Sequence, residues 1–186
     1  MIHGDLKGVS AHKYPLTASL IEALQPNILV DVSGNARITD FGLAQGTLGA
    51  VSKPERHSRR WTAPEVLAET GTPSTEADVF SFGMVMVEVC YSSATVHSAQ
   101  VNSIFTSFWP KAFTGTIPFS DDTSPTAMMA IINGKRPPRP THSSLTCGLW
   151  ELMNQCWDQE RHNRPRMVGV LFALNSHIHE CKRASG

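Results

Sequence analysis

Apolar and polar positions fall into blocks of different period along the 186 residues. Ile28-Leu29-Val30 is a short β-branched, apolar run. Ser33-Gly34-Asn35 is turn chemistry, and Arg37-Ile38-Thr39 resumes an extended pattern, so the three together predict a hairpin. Gln45 to Arg60 is rich in Gly, Ser, Lys and Arg and shows no period, which reads as a long loop. Beyond Arg60 the pattern turns helical. Thr75-Glu76-Ala77-Asp78 reads as a helix start, with acidic residues where the helix dipole favours them. It leads into Val79–Val87, apolar on nearly every side and therefore predicted to be buried all round. A second helix is predicted over Thr123–Asn133, stopped by Gly134 and the Pro137-Pro138-Arg139-Pro140 run, and a third over Leu145–Trp157. A fourth runs from Pro165, a favourable first-turn residue, to about Cys181. There is no internal repeat. The predicted fold class is mainly α (α+β).

Composition narrows the classes. A chain of 186 residues with 41% apolar positions can build one core. Sixteen basic and 16 acidic residues cancel, which argues against nucleic acid or an anionic membrane as the main partner. Cys90, Cys147, Cys156 and Cys181 form no CxxC pair and no metal-ligand spacing, so free thiols in a reducing compartment are expected. The start is polar within three residues and does not read as a signal peptide. The apolar stretch Val79–Val89 is too short to cross a bilayer. The expectation is a soluble, cytoplasmic domain, with its oligomeric state left open.

Three short motifs occur in order: His3-Gly4-Asp5-Leu6-Lys7, Asp40-Phe41-Gly42 and Ala63-Pro64-Glu65. Each alone is weak, and a lone Asp at a turn is more often a cap than a catalyst. Together they resemble the signature set of eukaryotic protein kinases: catalytic loop, metal-binding Asp and the end of the activation loop. Trp61-Thr62-Ala63-Pro64-Glu65 and Cys156-Trp157 are similar to the tyrosine-kinase-like group, whereas Asp5-Leu6-Lys7 points to Ser/Thr rather than Tyr specificity. The resemblance implies a kinase C-lobe with its hairpin at the catalytic loop, and it implies ATP and Mg²⁺ as cofactors and proteins as substrates. Phosphoryl transfer has a loose transition state, so the protein mainly positions groups and neutralises charge. By resemblance, Asp5 accepts the proton of the substrate hydroxyl and Lys7 meets the phosphoryl oxygens. Asn27, in Pro26-Asn27-Ile28, and Asp40 match the ligands of Mg²⁺, which takes hard oxygens. Glu65 and Arg164, in Arg161-His162-Asn163-Arg164-Pro165, match a buried ion pair, and Asp78 matches a helix Asp that anchors the catalytic-loop backbone.

The chain departs from the family pattern in four places. His3-Gly4-Asp5 lacks the usual Arg, so pairing with a phosphorylated activation loop is not expected, although Thr47, Ser52 and Ser58 remain candidate acceptors. Asp5 and Asn27 are 22 positions apart, and deleting the 17 residues Val9–Gln25 restores the family spacing of five. Deleting Val89–Lys111 likewise joins Glu88 to Ala112-Phe113-Thr114-Gly115 in a natural kinase reading. Both segments back-translate to splice signals, so they are expected to be insertions or retained introns within a partial kinase domain spanning 1–186. Finally, no GxGxxG occurs, and the N-lobe is expected to be absent. That would leave apolar faces of the Val79–Val87 helix exposed and the chain inactive as written. The alternative is a pseudokinase-like scaffold that binds without catalysis.

Overall fold

The structure, a computed structural model, describes residues 10–11, 27–30, 36–38, 59–98, 117–140 and 145–184. The described part is mostly helical. Three short strands form one sheet in the order β1 (Ser10–Ala11), β2 (Ile28–Val30), β3 (Ala36–Ile38). β2 and β3 are antiparallel, with Leu29 opposite Arg37, and β1 lies parallel to β2, with Ser10 opposite Leu29. β1 was not foreseen, because two residues carry no readable alternation.

The helices are α1 (Pro64–Leu67), α2 (Thr75–Ser98), α3 (Ser124–Ile132), α4 (Cys147–Cys156) and α5 (Met167–Ala184), with a 3₁₀ turn at Arg161–Asn163. Their ends follow local hydrogen bonding. The Thr123 hydroxyl accepts from the Thr126 amide at 3.4 Å, and the Thr146 hydroxyl accepts from the Leu149 amide at 3.1 Å, each satisfying a first-turn donor. α3 stops in a Schellman motif: Gly134 takes φ +79°, its amide donates to Ile131, and the Lys135 amide donates to Ala130. Ser74 starts α2, accepting from the Ala77 amide at 3.1 Å. Glu76 in that first turn is held below the usual carboxylate range by its own backbone amide and then by the Ser74 hydroxyl.

α2 is the axis of the core. Val79, Phe80, Met84, Val85 and Val87 are at most 3% exposed. The exposed apolar faces expected on this helix are therefore not found over Val79–Val87. α4 packs against it with Leu152, Met153, Cys156 and Trp157, and Trp61 closes another side. Among the described residues the exposed large apolar ones are elsewhere: Val168, Leu171 and Phe172 on α5, Met129 on α3, Val89 just past the buried stretch, and Ile38. α2 also runs ten residues beyond Glu88, further than its apolar pattern predicted.

Gly83 sets the distance between α2 and α4. A β-carbon there would lie 3.0 Å from Cys156 Cβ and 3.6 Å from both the Met153 carbonyl and the Trp157 ring. Gly83→Ala gains helix propensity but forces the two helices apart, and is expected to cost a net ~1–3 kcal/mol. A urea midpoint equal to or above that of the native chain would contradict this packing. Cys90, Cys147 and Cys156 are free thiols, and burial pushes the Cys156 thiol up to about 12.

Candidate functional site

Ala63-Pro64-Glu65 forms the start of α1. Ala63 is extended (φ −63°, ψ 146°), and Pro64 occupies the first turn, where its missing N–H leaves no bond unmade. The Glu65 carbonyl accepts from the Thr70 and Gly71 amides and from the Thr70 hydroxyl, which closes the turn behind the helix. The Glu65 carboxylate then faces inward and meets Arg164 bidentately. Nη1 donates to Oε1 at 2.7 Å and Nη2 to Oε2 at 2.8 Å, across 99 residues of chain. The Arg164 side chain has no exposed surface, and that of Glu65 retains 15%. Arg164 Nε donates to the Asp158 carbonyl at 2.9 Å, and Nη1 also donates to the Glu76 carbonyl at 3.1 Å. A fork–fork pair with its remaining donors on carbonyls is the arrangement in which a buried guanidinium is satisfied.

Two guanidiniums share one aromatic ring beside this pair. Arg164 Cζ lies 5.1 Å and Arg136 Cζ 5.0 Å from the centroid of Phe80, which is fully buried. Arg136 donates to the Trp157 carbonyl at 2.8 Å, the Lys135 carbonyl at 2.8 Å and Gln159 Oε1 at 2.7 Å. Burial first, and then the charge of Arg164, lower Arg136 to about 10, while Asp158 and Glu65 oppose the shift. Arg136 therefore stays cationic at neutral pH.

Upstream, Arg60 and Trp61 are held by hydrogen bonds to distant parts of the chain. Trp61 Nε1 donates to the buried Glu88 carboxylate of α2 at 3.0 Å. Arg60 is 7% exposed and reaches one turn. Its Nη1 donates to the carbonyls of Pro118 (3.1 Å) and Phe119, and Nη2 donates to that of Asp122 at 2.5 Å. Burial lowers its pKa, and the Asp122 charge works against the shift. Phe119 has φ +56°, a left-handed backbone that costs a non-glycine residue ~1–2 kcal/mol. A cavity of about 380 Å³ opens beside α1, lined in part by Pro64 and Glu65.

Of the predicted site residues, Asn27 is described: it is 1% exposed and immediately precedes β2. Asp5, Lys7 and Asp40 lie outside the described residues, as do Thr47, Ser52 and Ser58. Asp78 sits in the first turn of α2, its amide bonded to the Ser74 carbonyl at 3.0 Å, and the catalytic loop assigned to it is not described. The motif-based pairing of Glu65 with Arg164 is present in the structure. Arg60 and Arg136 were missed. Each bonds mainly to backbone carbonyls, which every residue possesses, so no partner side chain marks them in the sequence.

The family model for protein tyrosine and serine/threonine kinases matches residues 24–174. The chain belongs to the protein kinase family. It is 31% identical over 159 residues to a dual specificity protein kinase, shkD, of Dictyostelium discoideum, covering 83% of this chain and 18% of that protein. It is 31% identical over 158 residues to the serine/threonine-protein kinase STY17 of Arabidopsis thaliana, covering 83% of this chain and 23% of that protein. It is also 31% identical over 182 residues to ephrin type-B receptor 4b of Danio rerio, covering 92% of this chain and 16% of that protein. The chain thus spans less than a quarter of the length of these relatives. The Glu65–Arg164 pair joins the Ala63-Pro64-Glu65 motif to the segment just before α5. Among the described residues, no helix is long and apolar enough to cross a membrane.

Proposed function

We propose that this chain is the substrate-side part of a protein kinase catalytic domain, transferring the γ-phosphoryl of ATP to Ser or Thr of proteins. The observation that carries the reading is the bidentate Glu65–Arg164 pair, which ties the Ala63-Pro64-Glu65 motif into a buried core. Asp5 is the proton acceptor, Lys7 the cation for the phosphoryl oxygens, and Asn27 with Asp40 the oxygen donors for Mg²⁺. The amide oxygen of Asn27 is the hard donor type that Mg²⁺ takes, and its burial next to β2 gives it a fixed base. Mg²⁺, when bound, neutralises charge on the phosphates.

Phosphoryl transfer also needs a Gly-rich loop over the phosphates and a strand lysine, and the 186 residues contain no GxGxxG. Residues 1–186 alone are therefore expected to show no Mg·ATP-dependent phosphorylation. A longer chain that adds those parts is expected to phosphorylate Ser and Thr, and to lose about 10³-fold or more with Asp5→Ala. Phosphoamino-acid analysis of a labelled substrate reads both. Strong activity of residues 1–186 that Asp5→Ala abolishes would sink the inactivity, and a longer chain indifferent to Asp5→Ala would sink the catalytic assignment.

Val9–Gln25 and Val89–Lys111 are insertions relative to the family pattern, of the kind that retained introns produce. The family match begins at residue 24, near the end of the first segment. The second segment begins inside α2, which continues to Ser98. Transcript reads that join Gly8 directly to Pro26 support retention, and reads keeping the segment in most transcripts oppose it.

A further inference from the structure

Asn133-Gly134 is the one Asn-Gly pair in the chain, and it stands where α3 ends. In such a pair the side-chain carbonyl carbon of Asn is open to the next backbone nitrogen, because Gly brings no β-carbon to block the approach. Both residues are exposed. Among the described residues the Asn133 carboxamide has no hydrogen-bond partner. What keeps the two groups apart is the helix cap. Asn133 has ψ +14°, which turns the Gly134 nitrogen away from the Asn133 side chain. The Gly134 amide is committed to the Ile131 carbonyl at 3.0 Å, and the Lys135 amide to that of Ala130 at 2.8 Å. Swinging the nitrogen onto the carboxamide rotates ψ of Asn133 and breaks both bonds.

We propose that Asn133 is a site of spontaneous deamidation, gated by opening of the α3 cap. When the cap opens, the Gly134 nitrogen gives up its proton and attacks Asn133 Cγ. A ring C–N bond forms, the Cγ–Nδ2 bond breaks, and the side-chain nitrogen leaves as ammonia with that proton. Solvent water then opens the cyclic imide at either carbonyl, giving Asp or isoaspartate. Neither product restores the cap. Both place a carboxylate at the C-terminal end of a helix, where the dipole disfavours it. Isoaspartate also adds one carbon to the backbone, which shifts the Gly134 and Lys135 donors out of register with Ile131 and Ala130. The damage reaches Arg136, whose Nη1 donates to the carbonyls of Lys135 at 2.8 Å and Ile131 at 3.3 Å while its guanidinium lies on Phe80. The end of α3 thus keeps a one-way covalent record of its own opening.

The 186-residue chain, held at neutral pH in buffer and in denaturing urea, is sampled by peptide mass spectrometry that separates Asp from isoaspartate. In urea, Asn133 is expected to convert faster than Asn154, Asn163 and Asn175, with both products formed. In buffer its conversion is expected to be about tenfold slower or more, because only the open cap reacts. Lys135→Pro removes the amide that donates to Ala130 and leaves the Asn-Gly pair intact. It is expected to speed conversion in buffer about tenfold, with amide-exchange protection of Leu149–Gln155 in α4 unchanged. The site is overturned if another Asn leads in urea, or if Asp forms there without isoaspartate. The gate is overturned if the native chain converts equally fast in buffer and in urea, or if Lys135→Pro with its α4 protection intact converts no faster than the native chain. Should Lys135→Pro fail to fold, the native comparison between buffer and urea still decides the gate.

Discussion

Arg164→Ala is expected to remove about 3–5 kcal/mol of stability, a large share of what a domain of this size holds. The substitution strands the Glu65 carboxylate, 15% exposed, without its two charge-assisted bonds. It also leaves the Asp158 and Glu76 carbonyls without their donor. Arg164→Lys restores the charge but not the fork, and is expected to recover less than half of the loss. Urea midpoints of the three chains measure this. A shift worth less than about 1 kcal/mol would mean that the pair behaves as a surface salt bridge and is not the lock of α1.

Phe80→Ala should be nearly as damaging, at about 3–5 kcal/mol, because the ring is fully buried in α2 and its loss leaves a cavity. The ring does more than fill space, however. Arg136 and Arg164 lie 5.0 and 5.1 Å from its centroid, so removing the π-face leaves one half-buried and one buried cation with one partner fewer. Phe80→Leu separates the effects, keeping most of the apolar volume while discarding the π-face. It is expected to cost about 1–3 kcal/mol. A leucine variant within about 0.5 kcal/mol of the native chain would show that only volume matters at this position.

The residues around this lock differ in how far the sequence announces them. Glu65 and Arg164 stand in motifs that match a paired Glu and Arg of the protein kinase family, so their pairing is legible through that resemblance. The helices are legible for a different reason: Thr123, Thr146 and Gly134 are local signals that act within four residues of themselves. Helix boundaries are less so. α2 runs to Ser98, well past its apolar stretch, and α5 starts at Met167, two residues after Pro165. α1, at four residues, is too short for any periodicity to reveal. Arg60, Arg136 and the left-handed Phe119 are illegible because their partners are backbone atoms brought close by tertiary structure. The burial of Val79–Val87, in which only Phe82 stays half-buried, follows from its pattern, whereas the exposed faces expected from missing partners are not found, because α4 and Trp61 pack there.

The 99-residue separation between Glu65 and Arg164 also sets an order of events during synthesis. At about 5–20 residues per second, a ribosome completes Arg164 roughly 5–20 s after Glu65. Throughout that interval the nascent chain carries the whole Ala63-Pro64-Glu65 motif without the Arg164 guanidinium that receives its carboxylate. A four-residue helix has no cooperative stability of its own, so α1 gains its anchor only once the Arg161–Asn163 turn has been delivered. The start of α1 is thus among the last pieces of the described core to lock, although it is written near the chain's first third.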